Sequence, residues 1–371
     1  MGGQLMRASV QLWTACYLLI ATAASDAQSL RYLKQPPGGS RSLPLGISAD
    51  GSVIVGRSIL ASGGHAFRWT EQSGMASMGD LPGGDCGSVA YATSADGLIV
   101  VGEGHSASGV EAFRWMSGMG MRGLGSLRGK NLESRAKGLS ADGSVVVGDS
   151  LSPYGTEAFR WTEESGMVGL GDLPGGEHVS GAHGVSADGA VVVGQSDSYG
   201  GLEAFRWDAD TGIVGLGDLP EGKSESVALD ASADGSIVVG MGESATGKEA
   251  FCWTDQQGLV GLGFLLGHTS SAAMGVSADG NVIVGWSSSD LDTQAFVWTR
   301  QHGMRAIREV MLQSRYDVAG AKLTRAIDVS ADGSRVVGAG SGPRMTVWLV
   351  DLPPRVTQLP RQTVSAVAAQ R

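Results

Sequence analysis

The sequence has little cysteine, and what it has is not arranged for chemistry. Of its 371 residues only three are cysteine, and none stands in a paired motif or at metal-ligand spacing from a histidine. This argues against a disulfide scaffold or a cysteine-ligated zinc module. Cys16 lies within an apolar N-terminal run, whereas Cys86 and Cys252 fall at non-equivalent places in the chain. We therefore predict purely structural roles for Cys86 and Cys252.

Blocks of like charge and nucleotide-binding or nucleophile motifs are also missing. No run of five like charges occurs, and the net charge is −10 with a pI of about 5.1. An acidic surface repels phosphate backbones, so nucleic acid is not expected as a partner. There is no phosphate-binding Gly-x-x-x-x-Gly-Lys-Ser/Thr loop and no Gly-x-Ser-x-Gly elbow. We predict no cofactor.

Glycine, by contrast, is abundant, with 59 residues of 371. This is far above the average of about 7 %. The sequence has no Gly-X-Y period, and its apolar content of 42 % is too high for a disordered glycine-rich chain. With many Val and Ser residues and few helix-favouring runs, the composition predicts an all-β protein with tight turns.

The N-terminus has the pattern of a secretory signal peptide. Arg7 precedes an apolar run over residues 10–24, and small residues at Ser25 and Ala27 suit cleavage. We assign residues 1–27 to this signal, because the run is short for a membrane span. The alternative is an uncleaved anchor. The prediction is a secreted, extracellular or periplasmic protein without a transmembrane anchor after cleavage.

A Ser-Ala-Asp-Gly motif, here called the SADG turn, occurs seven times. Its Asp residues are spaced by 46, 46, 46, 46, 45 and 53 residues. Periods of this length are typical of propellers, solenoids and arrays. The seven Asp residues are Asp50, Asp96, Asp142, Asp188, Asp234, Asp279 and Asp332.

Each repeat divides into four short segments bounded by turn residues. In residues 184–221 these are a segment before the turn, an apolar Val-rich segment, a Glu-Ala-Phe-Arg-Trp segment and a Gly-rich segment. Four strands per 46 residues is the pattern of a propeller blade. Residues 31–39 align with residues 168–176, so the N-terminal strand is expected to complete the last blade. We predict a seven-bladed β-propeller of four-stranded antiparallel blades over residues 28–352, closed by that strand, followed by a disordered tail over residues 353–371.

Two further features of the repeat predict packing. Phe and Trp two residues apart in the third segment, as in Phe159 and Trp161, lie on one face of a strand and should fill the space between sheets. The Arg between them (Arg160 in that repeat) points to the opposite face. We expect it to link neighbouring blades by pairing with a carboxylate. An insertion over residues 307–323 contains good helix formers at 308–314, which predicts a short helix serving as filler or as a lid.

The SADG turn, the following Val-rich segment and the Ala-Phe-Arg-Trp segment together resemble the HAF-type repeats of secreted bacterial proteins. The first repeat reads His65-Ala66-Phe67-Arg68-Trp69, and the resemblance covers residues 30–352. The turn is also similar to the Ser-Pro-Asp-Gly turn of periplasmic propeller repeats. The resemblance implies a fold and a compartment but no defined reaction.

Neither the repeated Asp residues nor the histidines form a convincing metal site. Calcium needs several oxygen ligands on one ion, whereas each SADG Asp belongs to a different blade. We interpret these Asp residues as structural turns. His178 and His183 lie five apart with Glu177 nearby, but they lack a third ligand at suitable spacing. No metal is predicted.

Positions that differ between the repeats are the better candidates for ligand binding. Two positions were expected in loops at one rim: the third residue before each SADG serine, and the residue after each Val-Gly. Their polar members fall mainly in repeats two to four. The candidate ligand-binding residues are Tyr91, Glu103, Lys137, Asp149, His183 and Trp286.

These residues leave three functions open. The first is a non-enzymatic binding or interaction module, at or outside the bacterial surface, with a protein or polysaccharide ligand. The alternative is a carbohydrate-active enzyme such as a polysaccharide lyase, with Tyr91, Lys137 and His183 as acid and base candidates. The third is a structural surface array.

Overall fold

The computed structural model describes residues 29–129, 132–318, 320–340 and 345–357. Within these ranges almost all of the regular secondary structure is β-strand, as the glycine-rich composition predicted. The predicted signal peptide at 1–27 and residues 358–371 of the predicted tail lie outside the described residues. Neither of the two helices in the described part is long and apolar enough to cross a membrane.

The strands follow one another in groups of four that match the sequence repeat. The first group is β2 (Arg41–Ile47), β3 (Val53–Leu60), β4 (Gly63–Thr70) and β5 (Gly74–Ser77). The second is β6 (Ser88–Thr93), β7 (Ile99–Ser106), β8 (Gly109–Met116) and β9 (Gly120–Gly123). The third is β10 (Leu132–Leu139), β11 (Val145–Leu151), β12 (Thr156–Thr162) and β13 (Gly166–Gly169). The fourth is β14 (Gly175–Val185), β15 (Val192–Ser198), β16 (Gly201–Asp208) and β17 (Gly212–Gly215).

Two more groups have the same plan. The fifth is β18 (Ser226–Ala231), β19 (Ile237–Ser244), β20 (Gly247–Thr254) and β21 (Gly258–Gly261). The sixth is β22 (Ser270–Val276), β23 (Ile283–Ser288), β24 (Thr293–Thr299) and β25 (Gly303–Ala306). Within every group, consecutive strands pair antiparallel. Short parallel contacts between β8 and β10 and between β12 and β14 connect the second, third and fourth groups.

The last sheet combines the two ends of the described chain. The strands β26 (Arg325–Val329), β27 (Arg335–Gly340) and β28 (Thr346–Asp351) form three of its members. The fourth is β1 (Leu30–Tyr32), which pairs antiparallel with β28 so that Leu30 lies opposite Val350. This N-terminal strand occupies the place that the Gly-rich segment fills in the other sheets.

The SADG motif forms the tight turn between the first two strands of each repeat. In the first copy, Oδ1 of Asp50 accepts hydrogen bonds from the Ser48 hydroxyl and the Ser52 amide. The Ser48 hydroxyl oxygen accepts from the Val53 amide, and Gly51 adopts a φ of 71°. The bond from the Ser hydroxyl to the Asp recurs in all seven copies at 2.6–2.7 Å. Each repeated Asp thus accepts a hydrogen bond within the turn of its own repeat.

A backbone hydrogen bond joins each SADG turn to the next one. The amide of Ala49 donates to the carbonyl of Ala95 at 3.1 Å, and Ala95 donates to Ala141 at 2.9 Å. The same bond links alanines 141 to 187, 187 to 233, 233 to 278 and 278 to 331, and finally 331 to 49. The series returns to its first member.

Phenylalanines fill the space between neighbouring sheets, as predicted. Phe113 is completely buried and packs against Val53, Val55 and Ala66 of the preceding repeat. Equivalent burial holds for Phe67, Phe159, Phe205, Phe251 and Phe296. Trp348, completely buried, provides the large ring of the last sheet.

Three of the four repeated arginines link neighbouring repeats, but they do so through a backbone carbonyl, so the predicted carboxylate pairing is wrong for them. Nε of Arg68 donates to the carbonyl of Gly97 at 3.0 Å, and Arg114 reaches Gly143 in the same way at 3.3 Å. Arg160 donates to Gly189. Each acceptor is the glycine of the next SADG turn, whose carbonyl faces the arginine. Only Arg206 pairs with a carboxylate, that of Asp208.

The inserted segment forms the predicted short helix, α1 (Ile307–Gln313). Ile307, Val310 and Met311 are buried in the core cluster that contains Trp348. This packing favours the filler interpretation over a lid. The start of the predicted disordered tail is a helical turn, α2 (Pro354–Thr357), whose Val356 packs against the same cluster. The prediction of disorder from residue 353 is therefore wrong for these residues, because an apolar contact holds them.

Candidate functional site: a cavity lined by seven β-bulge residues

The first strand of every repeat contains a β-bulge at the same position. In β10, Ala136 pairs with Gly148 and Gly138 with Val147, so Lys137 has no partner in the ladder. A bulge turns its extra residue away from the regular alternation, and bulges are common beside binding sites. The seven bulge residues are Leu45, Tyr91, Lys137, His183, Leu229, Met274 and Ile327.

This set is one of the two sequence positions that were expected in rim loops. Both sets lie in strands instead, since the residue after each Val-Gly belongs to the second strand of its repeat. The loop placement was wrong because the ladder continues through the bulge. The extra residue of a bulge changes the direction of its side chain, and the alternation of apolar and polar residues in the sequence does not reveal such a bulge.

All seven bulge residues line one cavity of about 210 Å³. Its lining is divided into two chemical halves. Tyr91, Lys137 and His183 make one side polar. The other four bulge residues are apolar: Leu45, Leu229, Met274 and Ile327.

Behind the polar half lies a network of charged side chains. Nζ of Lys137 forms an ion pair with Oδ1 of Asp149, which is almost buried. Arg135 contacts the other oxygen of Asp149 through Nη1 at 3.2 Å. Nε of the same guanidinium lies 3.0 Å from Oε2 of Glu103. The structure thus brings together Tyr91, Glu103, Lys137, Asp149 and His183, with Arg135 as an additional member.

Arg135 was missed in the sequence. It stands two residues before Lys137 on the same strand, and its counterparts in most other repeats are small or apolar. A comparison of the repeats at this position would have identified it. Because it bridges Glu103, Glu133 and Asp149, it fixes the acidic side chains of two adjacent repeats relative to each other.

Tyr91 and His183, two of the three acid and base candidates that line the cavity, have pKa values displaced from their ordinary ranges. Burial, with the charge of Glu103 and a hydrogen bond to it, holds the pKa of Tyr91 far above its ordinary value. Tyr91 therefore remains a hydroxyl that donates to Glu103. Burial and the nearby Lys137 ammonium lower the pKa of His183 to about 4, so its imidazole is neutral at neutral pH. Its Nε2 is buried and has no hydrogen-bond partner among the described residues.

The other predicted site residues lie elsewhere. The indole of Trp286 does not line the cavity; the guanidinium carbon of Arg325 lies 5.3 Å from its ring centroid. His178 is in an exposed position, with Nδ1 3.0 Å from Asp172, and does not join His183. Across the described residues, no three His, Cys, Asp or Glu side chains are grouped to hold a metal ion.

Two further carboxylates of the cavity lining were also missed. The residue two places before the SADG serine is Gly or Ala in five repeats but Asp in two, at Asp230 and Asp328. Asp230 accepts from the amides of Ala231 and Val276, and Asp328 accepts from those of Val329 and Ile47. Both line the cavity.

The pKa values of these two carboxyl groups are raised. Burial is the main cause for each, and the charge of Asp230 adds to the effect on Asp328. The pKa of Asp230 rises to about 6 and that of Asp328 to about 8. The pair is therefore partly protonated at neutral pH.

Solved structures with the same arrangement of sheets identify the fold. The β-propeller domain of Cps50 (Swd1) from Myceliophteria thermophila is 10% identical, with a TM-score of 0.50 over 87% of this chain and 100% of that chain. The fold is a β-propeller. The oligogalacturonate lyase from Vibrio parahaemolyticus, also 10% identical, gives a TM-score of 0.59 over 90% of this chain and 96% of its own.

TolB from Acinetobacter baumannii is 13% identical, with a TM-score of 0.48 over 71% of this chain. The propeller chain spans 62% of the length of that TolB. No protein-family model matches the sequence, and no curated protein does. The likenesses to solved structures therefore concern the fold.

Proposed function

We propose that the chain is a closed, seven-bladed β-propeller of the HAF-repeat type, secreted or periplasmic. The pairing of β1 with β28 supports closure, as does the series of alanine hydrogen bonds that returns from Ala331 to Ala49. The pattern at residues 1–27 supports export. In such a ring the first strand of each blade is innermost, so the cavity lies on the propeller axis.

The proposed function is that of a binding module without catalytic turnover, which takes a polysaccharide or protein ligand at this cavity. One observation carries the proposal: the polar residues at a position that is apolar in the other repeats all line a single cavity. Lys137, His183 and Tyr91 come from three consecutive repeats, and their bulges present them to the same space. A scaffold alone does not need polar groups there, because apolar residues fill the same position in the other four repeats.

A glycan and protein panel tests this function. The purified protein is screened for binding and for turnover, alongside Lys137→Met. The matched control is Lys248→Met, which removes an exposed ion pair with Glu225 away from the cavity. We expect binding by the protein and the control, at least tenfold weaker binding by Lys137→Met, and no product. Equal binding by all three proteins, or no binding to any ligand, would overturn the proposal.

A polysaccharide lyase is the second candidate, favoured by the likeness to the Vibrio oligogalacturonate lyase. Lyases remove a proton next to a carbonyl group, which requires a base. In this cavity the neutral imidazole of His183 is the suitable group, since Tyr91 stays protonated. Incubation with oligogalacturonate tests this candidate by the ultraviolet absorbance of the unsaturated product. Absorbance that His183→Gln abolishes would favour the lyase over the binding module.

A further inference from the structure

The backbone of the cavity wall offers hydrogen-bond donors. In β6 the amide of Ser94 donates across the ladder to the carbonyl of Ile99 at 2.8 Å. Hydrogen-bonded and non-bonded pairs alternate in an antiparallel ladder, so the amide of the preceding residue, Thr93, points away from β7. The amides of Ser140 and Ser186 make the equivalent hydrogen bonds, so the amides of Leu139 and Val185 also point away from the second strands of their repeats. Thr93, Leu139 and Val185 all line the cavity.

The equivalent amides of two other repeats bind carboxylate groups of the protein itself. At the same position in other repeats, the amide of Ile47 donates to Asp328 at 3.0 Å and that of Val276 donates to Asp230 at 2.9 Å. Each carboxylate comes from the residue two before the SADG serine of the preceding repeat. In the repeats that precede those of Thr93, Leu139 and Val185, the corresponding residues are Gly46, Ala92 and Gly138, respectively. None of these three residues has a side-chain acceptor. Among the side chains that the structure describes, none accepts from these three amides.

The cationic side chain of the cavity lies on the same side as these donors. Lys137 is two residues before Leu139, and His183 is two before Val185. Asp149 is shared between Lys137 and Arg135, so the Lys137 ammonium retains hydrogens for another acceptor. The buried Nε2 of His183 supplies a further polar atom without a partner.

We propose that this side of the cavity binds the carboxylate of an acidic sugar unit, held by the amides of Thr93, Leu139 and Val185 and by the Lys137 ammonium. The inference rests on the proposed binding function and names its ligand class. The cavity volume of about 210 Å³ suits one sugar unit rather than a chain. Burial raises the pKa of both Asp230 and Asp328, which reduces the negative charge that these two carboxyl groups of the lining hold at neutral pH.

A substitution based on two other repeats can place a competing carboxylate in the proposed site. Ala92→Asp places a carboxylate where Asp230 and Asp328 stand in their own repeats, next to the Leu139 amide. Ala92 already carries a Cβ, so this substitution needs no new backbone conformation. The matched control is Ala92→Ser, which adds a small polar group without charge. Thermal unfolding of both variants shows whether they fold like the parent protein.

Binding is measured by titration calorimetry with galacturonate, with galactose as the uncharged analogue and an acidic peptide as a second source of carboxylate. We expect galacturonate to bind at least tenfold more tightly than galactose, and Ala92→Asp to lose at least tenfold in galacturonate affinity while Ala92→Ser changes it less than threefold. Equal binding of galacturonate and galactose would overturn the carboxylate inference but leave the binding function standing. Binding of the peptide alone would overturn the sugar assignment. Absence of binding by every ligand, including those of the panel, would overturn both proposals.

Discussion

The backbone amide of Ala331 donates a 2.9 Å hydrogen bond to the carbonyl of Ala49, which joins the seventh SADG turn to the first. Six identical bonds connect the intervening turns. The two ends of the described chain also meet in the last sheet, where Leu30 of β1 is buried with Trp348 and Val350. A contact between the two ends of a repeat array should contribute to the stability of the whole array.

Leu30→Ala tests this contribution. The substitution removes a buried side chain from the only sheet built from both ends of the described chain. We expect it to lower the free energy of unfolding by about 2–4 kcal/mol, measured by chemical denaturation. Tyr32→Ala on the same strand is the control, because Tyr32 is 48% exposed, and its effect should stay within about 1 kcal/mol. Equal effects of the two substitutions would show that Leu30 does not pack as described.

The SADG carboxylates should make stability sensitive to acid. Hydrogen bonds from Ser140 and Ser144 lower the pKa of Asp142 to about 2 from an ordinary 3.8. A group with a lowered pKa in the folded state stabilises it above the unfolded pKa, and this contribution disappears as the pH falls from about 4 to 2. In Asp142→Asn the free energy of unfolding should depend less on pH within that window. Parallel pH profiles for the two proteins would contradict this expectation.

Asp328 should have the opposite pH dependence. Its pKa is raised to about 8, so the folded protein holds a proton that the unfolded chain releases near pH 4. The stability that this group contributes is present below pH 4 and is lost as the pH rises to about 8. Asp328→Asn should therefore show a smaller decline in unfolding free energy between pH 5 and 8. The decisive measurement is the slope of the unfolding free energy against pH. The absolute value is not decisive, because the side-chain amide of the variant also loses one of the two backbone contacts that the carboxylate makes.

His183 should remain neutral across the physiological range. With a pKa of about 4, its ring signals in an NMR titration should not shift between pH 5.5 and 8. Lys137 contributes to this lowering through its charge, after burial. Lys137→Met should therefore raise the pKa of His183, with exposed His178 as the internal reference in the same spectra. A His183 pKa near 6.5 in the unaltered protein would contradict the buried environment described here.

The repeat itself made most of the fold predictable from sequence. Spacing and turn chemistry predicted the four-stranded groups, since an Asp and a Gly at fixed positions specify a turn through contacts within five residues. The helix at 307–313 was predictable for the same reason, because it depends on helix formers within one short segment. The predicted partner of Arg160 was wrong for a non-local reason: its acceptor, Gly189, is a backbone carbonyl 29 residues away, and no side-chain pattern records it.

The site was predictable only in part. Comparison of the repeats found Tyr91, Lys137 and His183, because they replace apolar residues at one repeated position. The same comparison one residue later would have found Asp230 and Asp328. The placement of these residues around one cavity could not be derived, because it depends on a bulge in every first strand. The raised pKa values depend on burial, which no pattern of neighbouring letters specifies.

The seven bulges separate the residues that pair the strands from the residues that determine the chemistry of the cavity. A bulge residue has no opposite partner, so its replacement leaves the pairing of its strand with the next one intact. The residues before and after it, by contrast, are both paired with the second strand of the repeat. Each repeat thus contributes one replaceable side chain to a shared lining, so the chemistry of the cavity can be changed one residue at a time while the strand pairing stays the same.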